Sequence, residues 1–139
     1  TGVHTCALPI AFKSISLVKF LFINQYHFII CIYLYMDKNI QFVKLSPATA
    51  KGKKWKMEFF NKEKKRVKTS QFGQAGASDF TKHGDTARRL RYDNRHKERE
   101  DWTAPTTNSA LSKWILWNKP TIESSLPDFK KRFKFKKLT

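Results

Sequence analysis

The spacing of apolar residues changes once along this chain, and that change limits the folds open to it. Over residues 40–72 apolar side chains fall mostly at alternate positions, as in Trp55, Met57 and Phe59. Alternation places successive side chains on opposite faces of a strand, so each such run can bury one face. Ile40–Leu45, Trp55–Phe59 and Val67–Phe72 therefore read as three strands, the last ended by Gly73. Ser46–Gly52 reads as a loop and Asn61–Lys65 as a charged turn. Connections this short make an antiparallel meander the economical arrangement.

Past a loop over Gly73–Gly84 the period lengthens. Asp85 can cap a helix running to about Glu100. Ser109 or Thr107 can cap a second over Ala110–Trp117, and Pro120-Thr121 opens a third over Ile122–Phe133, which Pro127 would break or restart. The expected class is α+β: a small N-terminal three-stranded antiparallel meander followed by two or three helices. Trp55, Trp102, Trp114 and Trp117, with Leu111 and Ile115, are expected in the core, because tryptophan brings the largest apolar area to a small domain.

Residues 1–35 differ in kind. Thr1–Ile10 resembles the translation of a sequencing-library adapter. Of the 24 residues from Phe12 to Tyr35, 18 are Phe, Ile, Leu, Tyr, Lys or Asn, and none is Gly, Ala, Arg or Pro. That bias is expected of A/T-rich untranslated sequence read in frame. Residues 1–35 are thus expected to be a non-native read-through segment, adapter-like over 1–10 and untranslated-like over 11–35, with the natural start at Met36. The alternative is a membrane segment, but a bilayer needs about 20 apolar residues, and Lys19, Asn24, Gln25 and His27 interrupt the run. Residues 36–139 are expected to form a single basic α+β domain with a basic C-terminal tail over 129–139. Membrane contact is expected only if residues 12–35 are native.

The formal net charge is +17, and residues 36–139 hold 26 of the 28 Lys and Arg together with all 11 acids. Such an excess repels itself in a compact state and usually persists where a polyanion neutralises it. Nucleic acid is the commonest such partner, followed by an anionic membrane or an acidic protein. Both cysteines, Cys6 and Cys31, precede Met36. Without others, the domain has no disulfide or thiolate metal site, which fits an intracellular, soluble protein.

A set of signposts runs from Trp55 onward: Lys54-Trp55, Phe72-Gly73, Ser78-Asp-Phe-Thr-Lys-His83, Asp85, Arg91-Tyr92, Arg95-His96, Glu100-Asp-Trp102 and Leu116-Trp-Asn-Lys-Pro-Thr121. Together they resemble a family of short, basic, uncharacterised proteins, a domain of unknown function of large nucleocytoplasmic DNA viruses of algae and protists, across residues 36–133. Family members often read Gly-Phe-Trp-Ser where this chain has Asn108-Ser-Ala-Leu-Ser112. The resemblance implies a viral or virus-derived gene, with the host nucleus, a viral factory or the virion as its place. It implies no activity.

Arg88, Arg91, Arg95 and Arg99 are spaced 3, 4 and 4. At about 100° per residue they share an arc of roughly 80° on one helix face. Tyr92 lies beside that arc, and Leu90, Ala87 and Asn94 lie away from it, as an inward face would. Guanidinium groups on a rigid face suit phosphate oxygens, and a neighbouring tyrosine suits stacking on a base. The plain alternative is a solvated helix laced with Arg89–Asp93 and Asp93–Lys97 pairs. The C-terminal run interleaves Lys130, Lys131, Arg132, Lys134, Lys136 and Lys137 with Phe129, Phe133 and Phe135. It reads as a nucleic-acid arm, a localisation-like cluster, or a helix end whose Phe129 and Phe133 dock on the core.

Asp79, His83 and Asp85, with His96 further on, carry metal-ligating atoms, but their spacing matches no ligand motif and capping is the simpler role. Gly73-Gln-Ala-Gly76 is a weak phosphate-loop signal beside the simpler turn after a strand. No P-loop, zinc-finger, Ser-His-Asp or cysteine-nucleophile pattern is present, so no catalytic residue, metal, cofactor or small-molecule substrate is expected. The leading expectation is non-enzymatic, nonspecific nucleic-acid association through the arginine face and basic tail. A module docking an acidic host or virion protein comes second, and a small metal-dependent nuclease on Asp79, His83 and Asp85 third.

Overall fold

The structure, a computed structural model, describes residues 39–139. The expectations for residues 1–35 and for a start at Met36 lie outside the described residues.

Three strands, β1 (Ile40–Pro47), β2 (Lys53–Asn61) and β3 (Arg66–Gln74), form the antiparallel meander that the alternation predicts. The β2–β3 turn is held by the Asn61 side chain, which accepts from the Lys65 N–H at 2.9 Å. A fourth strand, β4 (Lys136–Lys137), corrects the expected three: it pairs in parallel with β1 at Phe42 and Val43, giving the order β3-β2-β1-β4. Two residues are too few to show a period in the sequence. What places them is the fold-back of the preceding helix.

The loop expected over Gly73–Gly84 contains a one-turn helix, α1 (Phe80–His83), capped by Asp79. Then come α2 (Thr86–His96), capped by Asp85, and α3 (Asn108–Leu111), capped by Thr107. Helix α2 stops four residues short of the expected Glu100, and Lys97–Arg99 follow as a turn. Helix α3 runs into a π-helical turn over Ser112–Leu116, closed by the Trp117 N–H on the Ser112 carbonyl. Widening to i→i+5 bonds accompanies the burial of Lys113, Ile115 and Leu116 while Trp114 and Trp117 stay at the core margin. The last helix, α4 (Ile122–Phe133), is capped by Thr121 and passes through Pro127 unbroken. A mid-helix proline forfeits one backbone bond, and here Ser125 and Phe129 on either side of it are wholly buried.

The inner face of the sheet carries Val43, Met57, Phe59 and Phe72, and over it close Leu111, Ile115, Leu116 and Phe129. Gly73 sits at φ 73°, and a Cβ there would meet the Leu116 side chain at 2.9 Å. Glycine is therefore needed at that position for backbone and space alike. Among the described residues, no helix is long and apolar enough to cross a membrane.

Candidate nucleic-acid interface

Helix α2 is attached to the domain by polar and aromatic side chains. Arg89, Tyr92, Asp93 and His96 point inward. Tyr92 stacks on Trp117 with ring centroids 4.3 Å apart and planes 5° apart, and His96 stacks on its other side at 4.3 Å. Arg89 donates to the Asn118 carbonyl at 2.9 Å and lies 5.2 Å from the Phe80 ring centroid. Asp93 accepts from Lys113, a buried lysine, at 2.5 Å. His96 bonds Glu100 at 2.8 Å, and Glu100 also accepts from the Trp102 indole.

Two expectations are corrected by this. Tyr92 is 8 % exposed, so its ring has no free face for a nucleobase. Burial pushes its phenol well above the usual tyrosine range, reinforced by Glu100 and Asp93. Leu90, Ala87 and Asn94, expected inward, are exposed, Leu90 at 52 %. The side of the helix that packs is the one able to stack on Trp117 and bond Lys113 and Asn118. It is not the one with Ala87 and Leu90.

Arg88, Arg91 and Arg95 share the exposed side of α2, and Arg99, also exposed, stands in the turn beyond it. None of the four forms an ion pair among the described residues. The intrahelical Arg89–Asp93 and Asp93–Lys97 pairs do not form, because Asp93 turns inward to Lys113 and Arg89 to Asn118. Asp85 is occupied as the cap: bonds from the Arg88 and then the Ala87 N–H hold its carboxyl below the usual range, with Arg91 and His83 assisting.

The C-terminal cations are brought near one another but not onto one face. Lys130 is half-buried, and its ammonium is pushed below the usual lysine value by burial and then by Lys137. Lys131, Arg132, Lys134, Lys136 and Lys137 are exposed. The Arg132 guanidinium lies 3.8 Å from the Trp114 ring centroid, a packing contact as much as a charge. Lys134 takes φ 59° at the end of α4, where the Phe135 N–H reaches back to the Lys130 carbonyl at 2.8 Å. That left-handed cap folds Phe135 onto Phe129 and Phe59. Residues 129–137 therefore dock along the sheet by their phenylalanines.

The carboxylate and imidazole groups of the loop serve the fold. Asp79, 3 % exposed, pairs with Lys54 at 2.5 Å and caps α1. His83 accepts the Asp85 N–H on Nδ1 at 2.8 Å and packs against Phe80 and Trp117. His96 is turned to Glu100. Among the described residues, no group of three or more His, Cys, Asp or Glu side chains is placed to hold a metal ion. Sequence reasoning missed Lys113 and Asn118, the anchors that orient α2. Its one legible clue was the Tyr92–His96 pair at i,i+4, the spacing at which rings on one helix face meet.

The described domain is thus a small α+β unit bearing an exposed, unpaired arginine face on one helix. Residues 43–96, from β1 to the last residue of α2, match the model of a family of unknown function, DUF5754. The match is shorter than the span of the signposts, and Glu100–Trp102 and Leu116–Thr121 lie outside it. No curated protein and no solved structure matches the chain.

Proposed function

We propose that the protein is a non-enzymatic nucleic-acid-associated protein, of viral or virus-derived type, that binds phosphate through α2. The observation that carries this reading is the division of charge on that helix. Its acids are consumed inward by Lys113 and by capping, while Arg88, Arg91 and Arg95 are left outward, unpaired and on a rigid element. The helix fixes the spacing of their Cα atoms, and the planar guanidinium fork loses less entropy per hydrogen bond formed with phosphate oxygens than an ammonium does. Arg99 and the exposed C-terminal cations add attraction over a wider surface. Such binding draws much of its affinity from counterion release, so its salt dependence counts the phosphates engaged.

The test is a salt titration of duplex binding by the full chain. Replacing Arg88 or Arg95 singly with Ala should flatten the log–log salt slope by about one unit each. Lys51→Ala, on the exposed β1–β2 loop, should change it less. Arg132→Ala should cost about 0.5–1 kcal/mol of stability through the lost contact with Trp114 and alter the slope less than Arg95→Ala does. Equal changes at every site would mean that diffuse charge, not a helix face, attracts the polyanion.

A second reading, docking of an acidic protein, is favoured by one observation: Leu90 is exposed beside the cations, and mixed apolar and cationic surface suits a protein partner. Absence of any salt-dependent nucleic-acid binding, with retention of an acidic protein partner, would decide for it.

A further inference from the structure

The side chains that anchor α2 also fix which line of the helix points straight out. At about 100° per residue, Arg89, Tyr92, Asp93 and His96 occupy roughly 100° of arc, and the line opposite its centre carries Ala87, Arg91 and Asn94. All three are exposed. Arg88 and Arg95 flank this ridge on one side, and Leu90 and the helix-ending Lys97 flank it on the other. The ridge is thus short at two of its three positions, with longer cationic side chains beside it.

That profile fits a groove whose floor is base edges and whose walls are phosphate. A helix with its side chains is about 10–12 Å across, and the major groove of B-form DNA is about 12 Å wide. Short Ala87 and Asn94 let the helix axis approach the floor. Asparagine pairs bidentately with adenine N6 and N7, arginine with guanine O6 and N7, and an alanine methyl suits the thymine methyl. Glu98, on the same line but past the last helical residue, is of a type that accepts from the cytosine amino group. The helix N-terminus offers no competing anion site, because Asp85 already takes the Arg88 N–H there.

We propose that α2 enters the major groove of B-form duplex DNA, with Arg91 and Asn94 on base edges and Arg88, Arg95 and Lys97 on the flanking phosphates. This rests on the nucleic-acid reading above and adds a substrate class and a degree of sequence preference to it. A-form RNA has a major groove too deep and narrow for the same entry, so the protein discriminates between the two duplexes.

The experiment compares binding of the full chain to a 20-bp DNA duplex, the RNA duplex of the same sequence and each single strand at matched salt. It is followed by selection from a randomised DNA duplex pool. The expected result is DNA duplex binding roughly tenfold or more tighter than RNA duplex or single strand, and a selected pool in which an A·T pair and a G·C pair recur in fixed positions and orientation. Asn94→Ala should erase the adenine preference and leave the salt slope as it was, whereas Arg88→Ala should flatten the slope and leave the preference. Salt-dependent, stripe-dependent binding that treats DNA, RNA and single strands alike overturns groove entry while leaving phosphate binding intact. So does a pool with no enrichment, or an Asn94→Ala protein that selects the same sequences as wild type. Failure to bind any nucleic acid at low salt overturns both readings together.

Discussion

Helix α2 and the C-terminal segment from Phe129 to Lys137 are both rich in cations and aromatics, yet the fold uses the two mixtures in opposite ways. In α2 the aromatic and acidic side chains face the domain, stacked on Trp117 and bonded to Lys113, and the arginines face out. In the C-terminal segment the phenylalanines reach the core and the cations scatter: Lys130 is half-buried, Arg132 lies on Trp114, and Lys134 serves as a helix cap. Cationic content alone therefore does not say how the charges are presented. The anchoring side chains decide whether the charges are left together and unpaired on one helix face.

The largest expected effect separates the two regions by how they are held. Phe129 is wholly buried among Phe133, Phe135 and the sheet. Phe129→Ala should lower unfolding free energy by about 3–5 kcal/mol in a denaturant titration. A loss under about 1 kcal/mol would mean that the C-terminal segment is a loosely attached tail after all, and the contrast with α2 would have to be redrawn.

A smaller effect tests the anchoring of α2. The phenol of Tyr92 is held above the usual range of about 10, chiefly by burial. On unfolding the phenol would release its proton more readily, so its contribution to stability is complete below about pH 10 and lost as pH rises above that toward the folded value. Tyr92→Phe should match wild type near neutrality and lose less stability above about pH 10. It should also bind nucleic acid as wild type does. A binding defect in Tyr92→Phe with unchanged stability would return the ring to the interface.

The smallest effect concerns the turn that lays the C-terminal strand against β1. Lys134 adopts a left-handed conformation that costs a side-chain-bearing residue about 1 kcal/mol, so Lys134→Gly should raise stability by up to about that amount in thermal unfolding. Its salt slope for nucleic acid should change less than that of Arg95→Ala. A full unit of slope lost at Lys134 would place the C-terminal cations on the polyanion alongside α2.

Much of the local structure could be read from residue order because it depends on neighbours. Period-two spacing identified β1, β2 and β3, and Asp85, Thr107 and Thr121 cap helices through side-chain bonds to amides three residues on. The grouping of Arg88, Arg91 and Arg95 on one side also follows from helical spacing alone. What escaped was the direction in which that helix faces. Leu90 suggested an inward side because apolar residues are usually buried, but a helix can be seated as firmly by a stacked tyrosine and a buried ion pair.

By itself, then, the sequence determined the strand-to-helix order, the capped starts of α2 and α4 and the common face of Arg88, Arg91 and Arg95. Each depends on contacts within a few residues. Tertiary structure alone decided that Asp93 would meet Lys113, that Arg89 would meet Asn118, and that Tyr92 would lie flat on Trp117. It also decided that Lys136 and Lys137 would pair with β1. These partners lie 20 or more residues apart, and their energies exist only once the core of Phe59, Phe72, Leu111, Ile115 and Phe129 has closed and excluded water from between them.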